Sequence, residues 1–251
     1  DPSAIAEIPG DKIFFVQMAD APILAMDVLE WSRHFRCFPG QGEFDLAGFL
    51  APIIKSGYTG PLSLEIFNDG FRAAPTRANA ADGLRSLLYL EEKTRQRLAH
   101  EQPAVPVEIL FDTPPASEYD GIEFLEFAVD ENLGAKLTQW LERLGFVKVG
   151  QHRSKSVSLL RQGDINLILN CEPYSFAHNF FEAHGPSLCA TAMRVKDSAK
   201  ALQRAVAYKG QPYRGLVGPN ELELAAVRAP DGSLIYLVDP SEGVYDTDFN
   251  L

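Results

Sequence analysis

Ile122-Glu-Phe-Leu-Glu-Phe-Ala-Val129, followed at helical spacing by Leu133, Leu137, Trp140, Leu141 and Leu144 and then by Gly145, decides the fold because the pattern occurs twice. The first copy predicts a strand, a helix ended by Gly145, and strands near 146–150, 155–161 and 165–170. In the second copy Leu188-Cys-Ala-Thr-Ala-Met-Arg-Val195 is the strand. Asp197 caps a helix carried by Ala201, Leu202, Ala205 and Val206, and Gly210 ends it. Strands follow near 211–214, 222–228 and 234–239, the last two joined by Pro230-Asp-Gly232. The offset is 65 residues between Gly145 and Gly210 and 66 between Glu131 and Asp197. Neither βαβββ copy can bury its sheet alone, so the pair should pack as one domain.

Upstream, residues 101–117 hold Pro103, Pro106, Pro114 and Pro115 with no helical period, which reads as a linker. Before it lie two apolar runs, Lys12-Ile-Phe-Phe-Val-Gln-Met-Ala-Asp20 and Leu62-Ser-Leu-Glu-Ile-Phe67, suited to parallel strands covered on both faces. Between them Asp45 caps a helix with Leu46, Phe49, Leu50, Ile53 and Ile54 on one face and Gly57 at its end. After them a long helix over 79–98 carries Leu84, Leu87, Leu88 and Glu91 in step. This is a βαβα unit. The expected division is 1–100, 101–117 and 118–251.

Of the 251 residues 46% are apolar, enough for real cores. The balance of 23 basic against 34 acidic side chains, net −11, argues against a nucleic-acid or anionic-membrane binder. No apolar run is long enough to span a bilayer. Cys37, Cys171 and Cys189 show no CxxC spacing and read as free thiols in a reducing, cytoplasmic setting. The opening Asp1-Pro2, without Met, reads as the start of an excised piece.

Period-two alternation puts Gln17 on one face of the first strand, and Ser63, Glu65 and Phe67 on one face of the second. Gln17 and Glu65 therefore each point inward near a carboxyl end, where parallel α/β folds build their sites. Glu65 there needs a cation, supplied either by a metal or by a buried Arg or Lys. Ser32, Arg33 and Arg36 follow the first strand, where a substrate carboxylate would be met, although a charged loop is usually solvated. Asp20 is either a partner to such a site or a strand end, and Pro39-Gly-Gln-Gly42 is either an anion cradle or a turn. His152-Arg-Ser-Lys155 reads as a solvated hairpin, His184-Gly-Pro186 as a turn, and Cys171 and Cys189 as core.

The Phe14–Asp20 run, the Trp31-Ser-Arg-His-Phe-Arg-Cys-Phe-Pro-Gly-Gln-Gly42 loop and Gly57-Tyr-Thr-Gly-Pro-Leu-Ser-Leu-Glu-Ile-Phe-Asn-Asp69 together resemble the xylose-isomerase-like TIM-barrel family. The nearer likeness is to bacterial 3-dehydroshikimate dehydratases of quinate and shikimate breakdown. Residues 118–245, through Gly150-Gln-His-Arg-Ser-Lys155, Arg161-Gln-Gly-Asp-Ile-Asn-Leu-Ile-Leu-Asn170 and His184-Gly-Pro-Ser187, resemble the vicinal-oxygen-chelate fold. Within it they are similar to the amino-terminal lobe of 4-hydroxyphenylpyruvate dioxygenase. The implied fold class is α/β plus α+β. It comprises the C-terminal βαβα part of a xylose-isomerase-like TIM barrel followed by two βαβββ vicinal-oxygen-chelate repeats.

The resemblance implies a lyase that dehydrates 3-dehydroshikimate to protocatechuate with a divalent metal (Mg, Mn or Co). It assigns Gln17 and Glu65 as metal ligands, Glu65 as catalytic, and Arg36, Arg33 and Ser32 to a small anionic substrate. Two acidic ligands would lie outside the chain, which then looks like the middle section of a fused protein and should be inactive alone. In the second half the family's metal positions fall on Phe124, Ala190, Leu167 and Tyr236, none of which can hold iron. A dioxygenase-type oxidoreductase is thus the weaker alternative to a non-catalytic scaffold lobe that supports homo-oligomers.

Overall fold

The computed structural model describes residues 2–100 and 107–251, which form two compact units divided between Thr113 and Pro114. The first unit opens with 3₁₀ turns at Pro2–Glu7 and Gly10–Lys12. Strand β1 (Val16–Met18), helices α1 (Val28–His34) and α2 (Leu46–Lys55), strand β2 (Leu62–Leu64) and helices α3 (Asp69–Ala73) and α4 (Thr76–Ala99) follow. β1 and β2 pair in parallel, with Gln17 opposite Ser63. Val16 and Met18 face a core of Leu50, Ile53, Ile54, Tyr58, Leu90, Leu98 and Leu110.

Both strands are shorter than their apolar runs predict, because each has a single neighbour and the ladder extends only where the two run together. Phe14 and Phe15, expected in the first strand, are 85% and 55% exposed. The Trp31–Arg36 segment, read as a connection, starts as a helix because Asp27 accepts from the backbone N–H groups of Leu29 and Glu30. Asp45 caps α2 through Gly48 N, as its sequence predicts, and Pro52 is accommodated inside that helix. The buried face of α4 is Gly83, Ser86, Leu90, Thr94 and Leu98 rather than the expected leucine stripe, and Leu84 is exposed. Close approach decides this: a Cβ on Gly83 would lie 2.9 Å from Leu64 Cδ1.

Of the expected 101–117 linker, residues 101–106 lie outside the described residues. The stretch after them is fastened to α4. Arg95 Nη1 donates to the carbonyls of Val107 and Leu110 (2.8 and 3.2 Å), and Phe111 N–H donates to Glu91 (2.8 Å).

The second unit contains β3 (Tyr119–Ala128), α5 (Glu131–Arg143), β4 (Val147–His152), β5 (Val157–Gln162) and β6 (Ile165–Asn170). Then come α6 (Phe176–His184), β7 (Ser187–Val195), α7 (Ser198–Ala207), β8 (Gln211–Tyr213), β9 (Ala225–Arg228) and β10 (Leu234–Val238). α8 (Val244–Asp248) and β11 (Phe249–Asn250) complete it. The nine strands form one sheet in the order β11-β4-β5-β6-β3-β7-β10-β9-β8.

The repeat is visible in that order. β3 pairs in parallel with β6 and β7 with β10, and the two first strands meet antiparallel. Asp130 and Asp197 cap α5 and α7. Gly145 ends the first of these helices at φ +95°, whereas Lys209 rather than Gly210 takes the left-handed turn after the second. Between the copies α6, unforeseen in the sequence, is capped by Ser175. On one face of β3, Leu125 and Phe127 pack against Leu133, Leu137 and Leu141 of α5. On the other, Phe124 joins Val157, Leu159, Ile168, Val238 and Phe249. Cys189 is core as expected, and Cys171 is only half-buried.

Candidate functional site

In the first unit, Gln17 and Glu65 lie on the same face of the parallel pair. Gln17 is opposite Ser63, and Glu65 N–H bonds to Met18 O just beyond the ladder. This face is the opposite one from the buried Val16 and Met18. Arg36 Nη1 reaches Glu65 Oε2 at 2.8 Å and the Glu65 carbonyl at 3.0 Å, while its Nε donates to Ser32 O at 2.7 Å. Its guanidinium stacks 4.8 Å above Phe67. The carboxylate therefore has an arginine counter-ion, the non-metal alternative open in the sequence. Oε2 is taken by Arg36, and Oε1 has no hydrogen-bond partner among the described residues.

The Ser32 hydroxyl donates back to Leu29 O (3.1 Å), so Ser32 touches this group only through its carbonyl. Arg33 is exposed and forms no ion pair among the described residues. Asp20 is 1% exposed and fills the Pro39–Gly42 loop. Its carboxylate accepts from Ala21 N (2.9 Å), Gly40 N (2.9 Å) and Phe44 N (3.1 Å). The loop does cradle an anion, and that anion is the protein's own.

The second unit holds a polar group that the sequence reading passed over. Glu126, 7% exposed, accepts from Asn170 Nδ2 at 2.7 Å. Burial pushes its carboxyl above the usual range, against the opposing pull of Asn170 and Lys155. Lys155 is not a solvated hairpin residue. It bonds Glu221 Oε2 at 2.6 Å, from a position 66 residues earlier, and Leu216 O at 3.2 Å. Against the upward pull of burial, Lys155, Ser154 and Gly218 N hold the Glu221 carboxyl down at about 2. Burial, and then Lys155, lowers the His152 imidazole. The available signal was an acid inside the apolar run Phe124–Val129, the same signal that singled out Glu65.

A divalent metal is what both resemblances imply. Gln17 and Glu65 supply an amide oxygen and a carboxylate, which suit a hard cation and are too few by themselves. In the second unit Phe124, Ala190, Leu167 and Tyr236 stand at the expected ligand positions and do not fit one. No group of three or more His, Cys, Asp or Glu among the described residues could hold a metal.

Residues 111–250 match the family described as hydroxyphenylpyruvate dioxygenase, HPPD, N-terminal. The chain belongs to that family. Its HPPD-type lobe is preceded by residues 1–90, which match the xylose isomerase-like TIM barrel. The whole chain is 75% identical over 254 residues to a protein of Pseudomonas putida named 3-dehydroshikimate dehydratase, and spans 40% of that protein's length. A solved structure titled as a xylose isomerase-like TIM barrel/4-hydroxyphenylpyruvate dioxygenase fusion protein superposes with a TM-score of 0.91 at 76% identity. It is likewise covered over 40% of its length. The HPPD-type half alone is 47% identical over 132 residues to a 4-hydroxyphenylpyruvate dioxygenase of Pseudomonas sp., 36% of that protein. The fold is thus a TIM-barrel segment followed by a vicinal-oxygen-chelate lobe.

Proposed function

We propose that the first unit supplies two βα units, two metal ligands and an arginine to a 3-dehydroshikimate dehydratase that forms protocatechuate by loss of water. The rest of the barrel and two acidic ligands lie outside these 251 residues. The observation that carries this reading is the shared face of Gln17 and Glu65 at the carboxyl ends of a parallel pair, with Arg36 bound to Glu65. Identity to named dehydratases along the whole chain supports it.

Gln17 Oε1 and Glu65 Oε1 would hold the divalent cation, which when bound supplies a Lewis acid to polarise the substrate carbonyl. Arg36 fixes the Glu65 carboxylate with Nη1 and leaves Nη2 to meet the substrate carboxylate. Ser32 positions Arg36 through its carbonyl, and Arg33 adds positive charge at the approach. The decisive measurement is metal content and turnover of full-length protein carrying Glu65→Ala or Gln17→Ala. Each should cost about a hundredfold or more in turnover, with less metal retained. Near-normal, metal-dependent turnover in Glu65→Ala would sink the assignment.

The HPPD-type lobe is read as non-catalytic, since Phe124, Ala190, Leu167 and Tyr236 leave a dioxygenase iron without ligands. An assembly role is supported by Trp140 and Leu144, exposed four residues apart at the C-terminal end of α5, which Leu144 caps. Sedimentation of the chain should show self-association that Trp140→Lys reduces. A strict monomer would argue against the assembly role.

A further inference from the structure

One face of the nine-stranded sheet holds a cavity of about 150 Å³ adjoining another of about 560 Å³. Glu126, Lys155, Asn170, Tyr213, Leu216 and Tyr236 line both. Ala192 lies between Phe124 and Tyr236 in one cross-strand row, and Ala190 between Glu126 and Leu234 in the next. The Phe124 and Tyr236 rings lean together, 5.8 Å apart between centroids, and both line the smaller cavity. We propose that this cavity is a binding site for a neutral, monocyclic compound carrying a ring hydroxyl or carbonyl oxygen.

The polar groups select for such an oxygen. Neither the Tyr236 nor the Tyr213 hydroxyl has a hydrogen-bond partner among the described residues, and only one Glu126 oxygen is satisfied, by Asn170. No fully buried side-chain N or O among the described residues lacks a partner, so both hydroxyls open into the cavity and are free to bond an occupant. Burial favours the protonated Glu126 carboxyl, which then offers an O–H beside the Tyr236 O–H. Phe124, Val157 and Ile168 supply apolar wall against which a flat ring can lie.

Charge rejects the alternatives. Lys155 is already spent on Glu221 and Arg214 on Glu223, and Asp248 adds a further acid to the wall, so a carboxylate would be repelled. An ammonium ligand would require Glu126 to ionise in a buried position with a single hydrogen bond, from Asn170, to support it.

The test is calorimetric and NMR titration of the 251-residue chain with phenol, benzoate and benzylamine. Phenol should saturate one site with a dissociation constant of about 1 mM or tighter. The two charged analogues should bind at least about tenfold more weakly. Tyr236→Phe, which removes one atom, should weaken phenol about fivefold, and Glu126→Gln should retain binding within about threefold because it keeps a neutral polar group. Absence of saturation, tighter binding of benzoate or benzylamine, or phenol affinity untouched by Tyr236→Phe would each overturn the proposal. So would a loss in Glu126→Gln as large as that in Tyr236→Phe. The comparison of the three ligands on the unmodified chain stands whatever the variants do to folding.

Discussion

Asp20 shows how much one side chain can organise. Its carboxylate accepts three backbone N–H groups in a loop that returns to the end of β1. Asp20→Ala should therefore destabilise the first unit by about 3 kcal/mol, measured by urea denaturation. Gly42 is required beside it, because a Cβ there would fall 2.3 Å from Asp20 Oδ1 and 2.5 Å from Ala21 N. Gly42→Ala should destabilise the same loop, and the double variant should lose less than the two single losses combined, since both act on one contact. The buried acids of the second unit make opposite predictions in pH. Glu126 has a raised carboxyl, so its contribution is present at low pH and lost as pH rises above the unfolded value of about 4.5. Glu126→Gln should gain in relative stability as pH increases from 5 to 8. Glu221 is held down at about 2, so its contribution is present above the unfolded value and lost as pH falls through that range. Glu221→Gln should flatten the acid limb of the stability curve. The sequence exposed Glu65 and hid Glu126 for one reason. Glu65 ended a strand whose neighbours suggested a site, whereas the hydrogen-bond partner of the Glu126 carboxylate, Asn170, is 44 residues away on another strand.

At the scale of elements, periodicity made the paired repeats legible, with strand, helix and three strands recurring at one offset. Helices α1, α3 and α6 escaped it. All three are short, and what starts them is a side-chain cap, Asp27, Asn68 or Ser175, rather than an apolar stripe. The edge strand β11 was equally invisible, being two residues long and defined by its partner β4. It is nevertheless tightly held. Phe249 is 4% exposed and packs with Phe124, Val157 and Val244. Phe249→Ala should cost about 3 kcal/mol of stability in chemical denaturation. A loss below about 1 kcal/mol would show that β11 is an ornament of the sheet rather than a part of it.

For the whole molecule, the two units pose separate questions. A TIM barrel takes about 250 residues, and the matching segment here spans residues 1–90. The 251-residue chain is therefore expected to show no dehydratase turnover at any divalent metal concentration, and measurable turnover would require a site other than the one proposed on Gln17 and Glu65. No helix among the described residues is long and apolar enough to cross a membrane. The second unit carries a different liability, rooted in the antiparallel meeting of β3 and β7 at the centre of its sheet. Each repeat ends, on the side of its first strand, in a bare row of backbone donors and acceptors until the other repeat arrives. The two rows belong to similar copies, so while one copy of a molecule is still unfolded, the free row of the other can accept a repeat from a neighbouring chain. Strand exchange between molecules is then a competitor of correct closure that grows with protein concentration during refolding. A duplicated architecture gains its central seam and, with it, a choice of whose repeat completes it.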